Sequence, residues 1–78
     1  MDRIEVDSTT LAWAAYSPDR RLLELAFHSG NVYDYFDVPQ RTYNELLHSD
    51  SKGRYFNLHI RNHFRSQWVR VSAAGHQN

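Results

Sequence analysis

The centre of the chain carries two runs in which apolar and polar residues alternate, and a glycine turn separates them. The runs are residues 22–28 and 32–38, with Ser29–Asn31 between them. A period of two residues places alternate side chains on opposite faces of a β-strand, and glycine adopts the positive φ of a tight turn. The positions expected to face the core are Leu23, Leu25, Phe27, Tyr33 and Tyr35. The pattern predicts an antiparallel hairpin whose opposite, solvated face carries Glu24 and Asp34.

The flanking segments extend this hairpin into an α+β fold. Residues 8–16 are rich in β-branched and aromatic residues, but their alternation breaks near Trp13, which predicts a first strand with a β-bulge. Apolar residues at helical spacing predict one helix over residues 40–48 and a second over residues 52–66. Residues 67–71 either extend the second helix or form a short strand, and we favour the strand. The predicted fold is a three-stranded antiparallel β-meander packed on one face by two helices.

The length and composition limit the class of protein. A chain of 78 residues is long enough for one domain, which we assign to residues 1–72, with a disordered tail over residues 73–78. The chain has no cysteine, so its core must come from packing rather than from disulfides or a cysteine-bound zinc. It contains neither an apolar run of ~20 residues nor an apolar leader after Met1. We therefore expect a cytoplasmic protein.

The charged residues are segregated along the chain, although nine bases and nine acids cancel overall. Residues 1–50 hold all nine acids against four arginines, a net charge of −5, whereas residues 51–78 hold five bases and no acid, a net charge of +5. Such asymmetry is typical of chains that contact nucleic acids or membranes. The start of the second helix adds backbone N–H groups that suit a phosphate. The predicted nucleic-acid-binding residues are Ser51, Lys52, Gly53, Arg54, Arg61, Arg65 and Arg70.

Two simpler interpretations compete with phosphate binding. Ser51 can act only as the cap of the second helix, with the neighbouring bases solvated. Acids of the first half, for instance Asp34, Asp37 or Glu45, can also lie against the arginines in space. The arginines would then form an ion-pair surface that contributes little to stability or to binding.

Four aromatic residues are candidates for stacking on unpaired bases, as aromatic strand residues do in some RNA-binding sheets. These candidates are Tyr33, Tyr35, Trp13 and Phe36. The competing interpretation, which we favour, is that the tyrosines line the core; they share the period of the apolar positions on the neighbouring strand only if the strand register aligns them.

Little in the chain points to catalysis or to metal binding. His59 and His63 have the four-residue spacing of a helical zinc chelate, but a zinc site needs further protein ligands. No segment has the pattern that places a nucleophile on a strained turn. We therefore expect no enzyme activity, no catalytic residue, no metal site and no cofactor.

Several short motifs follow one another in the order found in a known family. They are Leu23-x-Leu25-x-Phe27, then Tyr33-x-Tyr35 before Val38-Pro39, then Ser51-x-Gly53-x-Tyr55-Phe56-Asn57 before Ile60-Arg61. With these motifs the chain resembles the KTSC domain, a module named for the C-terminus of some lysyl-tRNA synthetases that also occurs as a stand-alone bacterial protein. The resemblance covers residues 6 to 64 and implies an association with RNA.

The charge pattern and the resemblance together predict a small nucleic-acid-binding module with RNA or tRNA as its partner, held through phosphates. Four or five phosphate contacts would give a slope of about −3 to −4.5 for log affinity against log salt concentration. The alternative is a protein-interaction or self-association module that uses its charge-segregated faces. We expect no membrane contact and favour a monomer.

Overall fold

The sheet has five strands, and each pairs with its neighbour in sequence. The computed structural model describes residues 1–71. All pairings are antiparallel, and the strand order is β1-β2-β3-β4-β5. The strands are β1 Arg3–Glu5, β2 Leu11–Ser17, β3 Leu22–Phe27, β4 Asn31–Tyr35 and β5 Ser66–Val71. The α+β class and the antiparallel meander are confirmed, whereas the predicted number of three strands is wrong.

The two additional strands lie at the edges of the sheet. All three residues of β1 are exposed, so no buried face of this strand requires an apolar residue at every second position. β5 is exposed at every position except Val69, which is half-buried. The strand interpretation of residues 67–71 is confirmed, because β5 pairs with β4 from Asn31 to Tyr35.

Two helices cover one face of the sheet. They are α1, Gln40–His48, and α2, Lys52–Tyr55, which continues into a π-helical segment, Phe56–Ile60. The predicted second helix over residues 52–66 is too long. The chain leaves the helical conformation at Arg61, with φ −59° and ψ 127°, and Asn62 adopts a φ of 64°. Asparagine tolerates this left-handed conformation better than most residues, so it suits a helix exit.

The main core lies between the sheet and the helices. The sheet contributes Leu11, Ala14, Leu23, Leu25 and Tyr35, and the helical layer contributes Tyr43, Leu46, Phe56 and Ile60. Phe27 and Tyr33 are only partly buried but pack against this core. The predicted inward face of β3 and β4 is therefore confirmed.

A smaller apolar cluster lies on the other face of the sheet. It consists of Trp13, Ala15, Ala26 and Val32. The predicted bulge in the first strand is confirmed, because the pairing with β3 shifts between Leu11 and Trp13. The extra residue, Ala12, sends these two side chains to opposite faces, so Leu11 joins the main core and Trp13 does not.

Two expectations concern the whole chain. Across residues 1–71, none of the helices has the length and apolar character that crossing a bilayer requires. The predicted tail, residues 73–78, lies outside the described residues.

Candidate nucleic-acid interface

Ser51 caps the start of α2. Its Oγ accepts a hydrogen bond from the main-chain N–H of Arg54 at 3.3 Å, which satisfies one free helical donor. The next residue, Lys52, is half-buried, and its Nζ donates to the carbonyl oxygen of Ser49 at 3.2 Å. Ser49 is the C-terminal cap of α1, so this ammonium group satisfies a carbonyl at a helix end. The capping interpretation of Ser51 is confirmed.

Gly53 lies against the loop that precedes β2. A Cβ added at Gly53 would lie 2.5 Å from Oγ1 of Thr10 and 3.1 Å from its Cβ. A residue with a side chain would therefore clash, and only glycine lets the helix approach the loop this closely. The close approach predicted for a ligand is made here by Thr10.

A cleft of about 540 Å³ lies between this loop and the start of α2. We call it the corner cleft. Its lining includes Asp7 and Asp50 as well as Lys52 and Arg54. A phosphate in the corner cleft would meet two carboxylates beside two cations, so attraction and repulsion would largely offset each other. The corner is a weaker anion site than its sequence pattern suggests.

Three arginines of the basic segment are exposed on the helical segment and on the connection that leads to β5. Arg54 lies on α2, Arg61 follows the π-helical segment, and Arg65 precedes β5. The guanidinium carbon of Arg65 lies 4.6 Å from the centre of the Phe36 ring. The main-chain N–H of Phe36 also donates to the carbonyl oxygen of Arg65 at 2.9 Å. This stacking holds the Arg65 guanidinium at the surface.

The acids proposed to neutralise these arginines have other neighbours. Glu45 accepts a hydrogen bond from the Tyr55 hydroxyl at 2.6 Å. Asp34 lies beside another acid on β3, and Arg21, from outside the basic segment, donates to the main-chain carbonyl of Asp37 at 3.4 Å. Within the described part of the chain, no Lys or Arg nitrogen lies within 4.0 Å of a carboxylate oxygen.

Arg70 lies apart from the other arginines. It pairs across β5 and β4 with Val32, whose side chain belongs to the cluster on the face away from the helices. On that face Glu24 and Asp34 are direct cross-strand partners. Burial raises the pKa of Glu24 to about 7, helped by hydrogen bonding to and repulsion from Asp34, while the charge of Arg70 acts in the opposite direction. The predicted basic residues are therefore divided between two faces of the domain.

The four predicted stacking residues occupy different surroundings. Tyr35 and Trp13 are only 5% and 8% exposed, so neither presents an open ring face. Phe36 is half-buried beneath the Arg65 guanidinium. Tyr33 is also half-buried, on the helical side of the sheet. The core interpretation is confirmed for Tyr35, and Tyr33 lies at the border of the core.

A second cleft, of about 320 Å³, opens between β4 and the turn after the π-helical segment. We call it the aromatic cleft. It is lined by the rings of Phe27, Tyr33, Tyr35 and Phe56 and by the polar side chains of Ser29, Asn31, Arg61, Asn62 and Ser66. Of these residues, only the tyrosines and Arg61 are predicted from the sequence as binding residues. The other polar residues come from separate elements, and no local motif links them; an asparagine directly after the last apolar helical turn was the one available signal.

His59 and His63 do not share a helix. His59 lies in the π-helical segment, where its ring centroid is 4.5 Å from that of Tyr55, and His63 lies beyond the end of that segment. Within residues 1–71, no group of three or more His, Cys, Asp or Glu residues is placed to hold a metal ion.

The sequence and the fold match one family of proteins. Residues 7–64 match the family model of the KTSC domain. The chain belongs to the KTSC domain family. The crystal structure of a KTSC domain protein from Yersinia pestis superposes with a TM-score of 0.86 and 32% identity, covering 88% of this chain and 97% of that chain. The five-stranded sheet with its helices is thus a KTSC fold.

Relatives of this KTSC domain occur alone and inside a larger protein. A protein from Stutzerimonas stutzeri is 40% identical over 57 residues, which cover 73% of this chain and 80% of that protein. A lysine–tRNA ligase from Nostoc sp. is 42% identical over 50 residues, which cover 64% of this chain but only 9% of the ligase.

The KTSC match divides the predicted site residues. It includes Arg54 and Arg61 and ends before Arg65 and Arg70. It also includes every residue of the aromatic cleft except Ser66.

Proposed function

We propose that this KTSC domain is a small RNA-binding module that holds single-stranded RNA or tRNA through phosphate contacts. The observation that carries the proposal is the exposure of Arg54, Arg61 and Arg65 on the helical segment and on the connection to β5. Guanidinium groups bind phosphate oxygens through paired hydrogen bonds, which makes arginine well suited to this partner. The similarity to a segment of lysine–tRNA ligase supports an RNA partner, since tRNA is named as a substrate of that enzyme.

Fewer basic residues are available for phosphate contacts than the sequence predicts. Arg70 lies beside acids on the other face, and Lys52 is held by a main-chain carbonyl, so three arginines remain available. Three phosphate contacts give a slope of about −2 to −2.7 for log affinity against log salt concentration, shallower than the slope expected for four or five. Contacts of this kind position the nucleic acid without reading its sequence.

Fluorescence anisotropy with a labelled single-stranded RNA and with tRNA, over a series of salt concentrations, tests the proposal. The double variant Arg61→Ala, Arg65→Ala is expected to bind about tenfold more weakly at low salt, with a shallower salt slope. The matched control is Arg20→Ala, Arg21→Ala, which removes the same charge from exposed positions in the turn between β2 and β3. Dissociation constants above ~100 μM for both RNAs at low salt, or equal losses in the two variants, would contradict the proposal.

A second candidate function is self-association, favoured by the edge of the sheet at β5. Trp68 and Val71 on this strand are 50% and 55% exposed, and the Trp68 Nε1 donates to Oδ1 of Asn31 at 3.1 Å, which fixes the ring at the edge. An edge strand with unpaired main-chain groups can add a strand from a second copy. Sedimentation at low and high salt separates the cases, because a dimer formed between charged faces dissociates at high salt and an edge-paired dimer persists. A monomer at both salt levels and high concentration contradicts self-association.

A further inference from the structure

Tyr35 places a phenol group at the wall of the aromatic cleft. Only 5% of the Tyr35 surface is exposed, yet the residue lines the cleft. The hydroxyls of Tyr16 and Tyr55 donate to Val38 and Glu45, whereas that of Tyr35 has no hydrogen-bond partner within residues 1–71. Among the residues that the structure describes, Asp34 Oδ1 is the only fully buried side-chain polar atom without a partner, so the Tyr35 hydroxyl oxygen is accessible from the cleft. The Tyr35 hydroxyl is therefore free to bond to a group that enters the cleft.

The Arg61 guanidinium and the Tyr33 phenol line the same cleft as Tyr35 and influence its ionisation. Burial raises the pKa of Tyr35 to about 12, the neighbouring Tyr33 adds to the rise, and the positive charge of Arg61 lowers it. Tyr33 and Tyr35 have ring centroids 6.4 Å apart on the same face of β4. Two phenol donors and a guanidinium thus converge on one small volume.

The remaining lining combines aromatic rings with neutral polar side chains. Phe27 lies edge-on to Tyr33 at 6.1 Å and to Phe56 at 5.1 Å, which gives the cleft an aromatic wall. Asn62 and Ser66 add an amide and a hydroxyl to the lining. Flat rings beside amides and hydroxyls suit a nucleobase, which is apolar on its faces and carries donors and acceptors along its edge.

The size and charge of the cleft limit what it can hold. A volume of about 320 Å³ lies at the low end of ligand pockets, so it suits a ligand of one or two rings. Arg61 is the single charged side chain among the lining residues. One cation beside neutral donors matches one phosphate attached to one base, whereas an acidic peptide would need several cations.

We propose that the aromatic cleft takes one unpaired nucleotide of a single-stranded RNA, with its base against Tyr33, the base edge on the Tyr35 hydroxyl and its phosphate on Arg61. This inference rests on the proposed RNA-binding function and goes beyond it, because phosphate contacts alone do not require a base. The KTSC domain would then prefer single strands over duplexes, whose bases are stacked and paired.

Anisotropy measurements with two RNA strands of equal length and charge test the inference. One strand is an ordinary single-stranded dodecamer, and the other has abasic residues throughout, so it offers the same phosphates without bases. We expect the abasic strand to bind about tenfold more weakly. We also expect Tyr35→Phe, which removes a single oxygen, to weaken binding of the ordinary strand about fivefold and to leave binding of the abasic strand unchanged. The matched control is Tyr43→Phe, a buried tyrosine outside the cleft.

The possible results separate the two proposals. Equal affinity for the two strands would overturn the nucleotide cleft and leave a phosphate-binding module intact. Absence of binding to either strand at low salt would remove the proposed function itself. NMR spectra of the unmodified protein with adenosine or uridine monophosphate give a check that needs no variant, because shifts are expected at Asn62 and Ser66. Shifts confined to the corner cleft, or equal shifts with inorganic phosphate, would contradict the inference.

Discussion

Glu24 and Asp34 lie directly opposite each other on β3 and β4, on the face of the sheet that the helices leave uncovered. Two like charges in this position repel and destabilise the paired strands. Asp34 Oδ1 is buried and has no donor among the described residues. Burial, followed by the hydrogen bond to Asp34 and the repulsion from it, raises the pKa of Glu24 to about 7, and a proton held by Glu24 removes that repulsion and supplies the missing donor.

The first prediction concerns stability against pH. The folded chain holds the Glu24 proton up to a pKa of about 7, whereas the unfolded chain releases it near 4.5. The folded state therefore binds more protons in this window, and its stability falls as the pH rises through it. Glu24→Gln, which cannot ionise, is expected to gain roughly 1 kcal/mol at about pH 8, a figure reduced because the carboxyl is partly solvated. Urea denaturation at about pH 5 and about pH 8 measures the difference.

Asp19→Asn is the control for this measurement. It removes the same charge from an exposed position in the turn between β2 and β3. If the stability of Glu24→Gln depends on pH in the same way as that of the unmodified protein, the Glu24–Asp34 pair does not hold a proton in the folded state.

The second prediction concerns the contact between Gly53 and Thr10. Gly53→Ala would place a Cβ 2.5 Å from Thr10 Oγ1, so we expect a loss of roughly 1–2 kcal/mol in the free energy of unfolding. Thr10→Ala removes the obstructing atom, and the double variant should recover most of that loss, since alanine is the better helix former. A double-mutant cycle by thermal denaturation gives the coupling. Additive effects of the two substitutions would mean that the two residues do not touch.

The third prediction concerns the hydroxyl of Tyr16. It donates to the carbonyl oxygen of Val38 at 2.5 Å, while the ring stacks on Tyr43 at 4.9 Å. Tyr16→Phe keeps the stacking and leaves the carbonyl without its donor, so it should cost about 1 kcal/mol in the free energy of unfolding. Tyr43→Phe removes a hydroxyl that donates to no group within residues 1–71 and should change stability by less than ~0.5 kcal/mol. Similar costs for the two variants would count against the Tyr16 bond.

The fourth prediction separates Arg70 from Arg61. Arg70→Ala should leave RNA affinity within about twofold, whereas Arg61→Ala should reduce it about fivefold. Arg70→Ala also removes a positive charge that lowers the pKa of Glu24, so it should destabilise the protein at about pH 8 more than at about pH 5. Anisotropy and urea denaturation on the same two variants test both statements, and equal losses of RNA affinity would place Arg70 in the interface.

The central hairpin was predictable because its pattern is local. Leu23, Leu25 and Phe27 alternate within one strand, and Gly30 adopts the φ of 102° that the turn requires. The edge strand β1 was not predictable in the same way. β1 has no buried residue, and an exposed strand leaves no period in its sequence.

The end of the second helix shows a different limit. Phe64 continues the apolar stripe of Tyr55, Phe56 and Ile60 at helical spacing, but the chain turns at Asn62 before reaching it. Phe64 still packs against the main core from an irregular segment. The apolar spacing therefore indicated that Phe64 is buried, but it did not indicate a helix there.

The candidate site was predicted only in part for a related reason. Its charges are visible in the sequence, but their distribution depends on which strand face each residue occupies. Arg70 lies beside Glu24 because β5 adds to the sheet with a register shift between Val32 and Tyr33. A register of this kind follows from long-range pairing that no local pattern encodes.

Each strand pairs with the strand next to it in the chain. The three pairings among β1, β2, β3 and β4 close only short loops, whereas β4 and β5 pair across residues 36–65, which hold the helices. The entropy lost at each of the three short closures is small, and such local pairings form faster than pairings between distant segments. A domain of this size has a thin margin of stability. Rapid re-pairing then shortens the time for which bare strand edges are open to aggregation, which protects a chain that has no disulfide to hold it together.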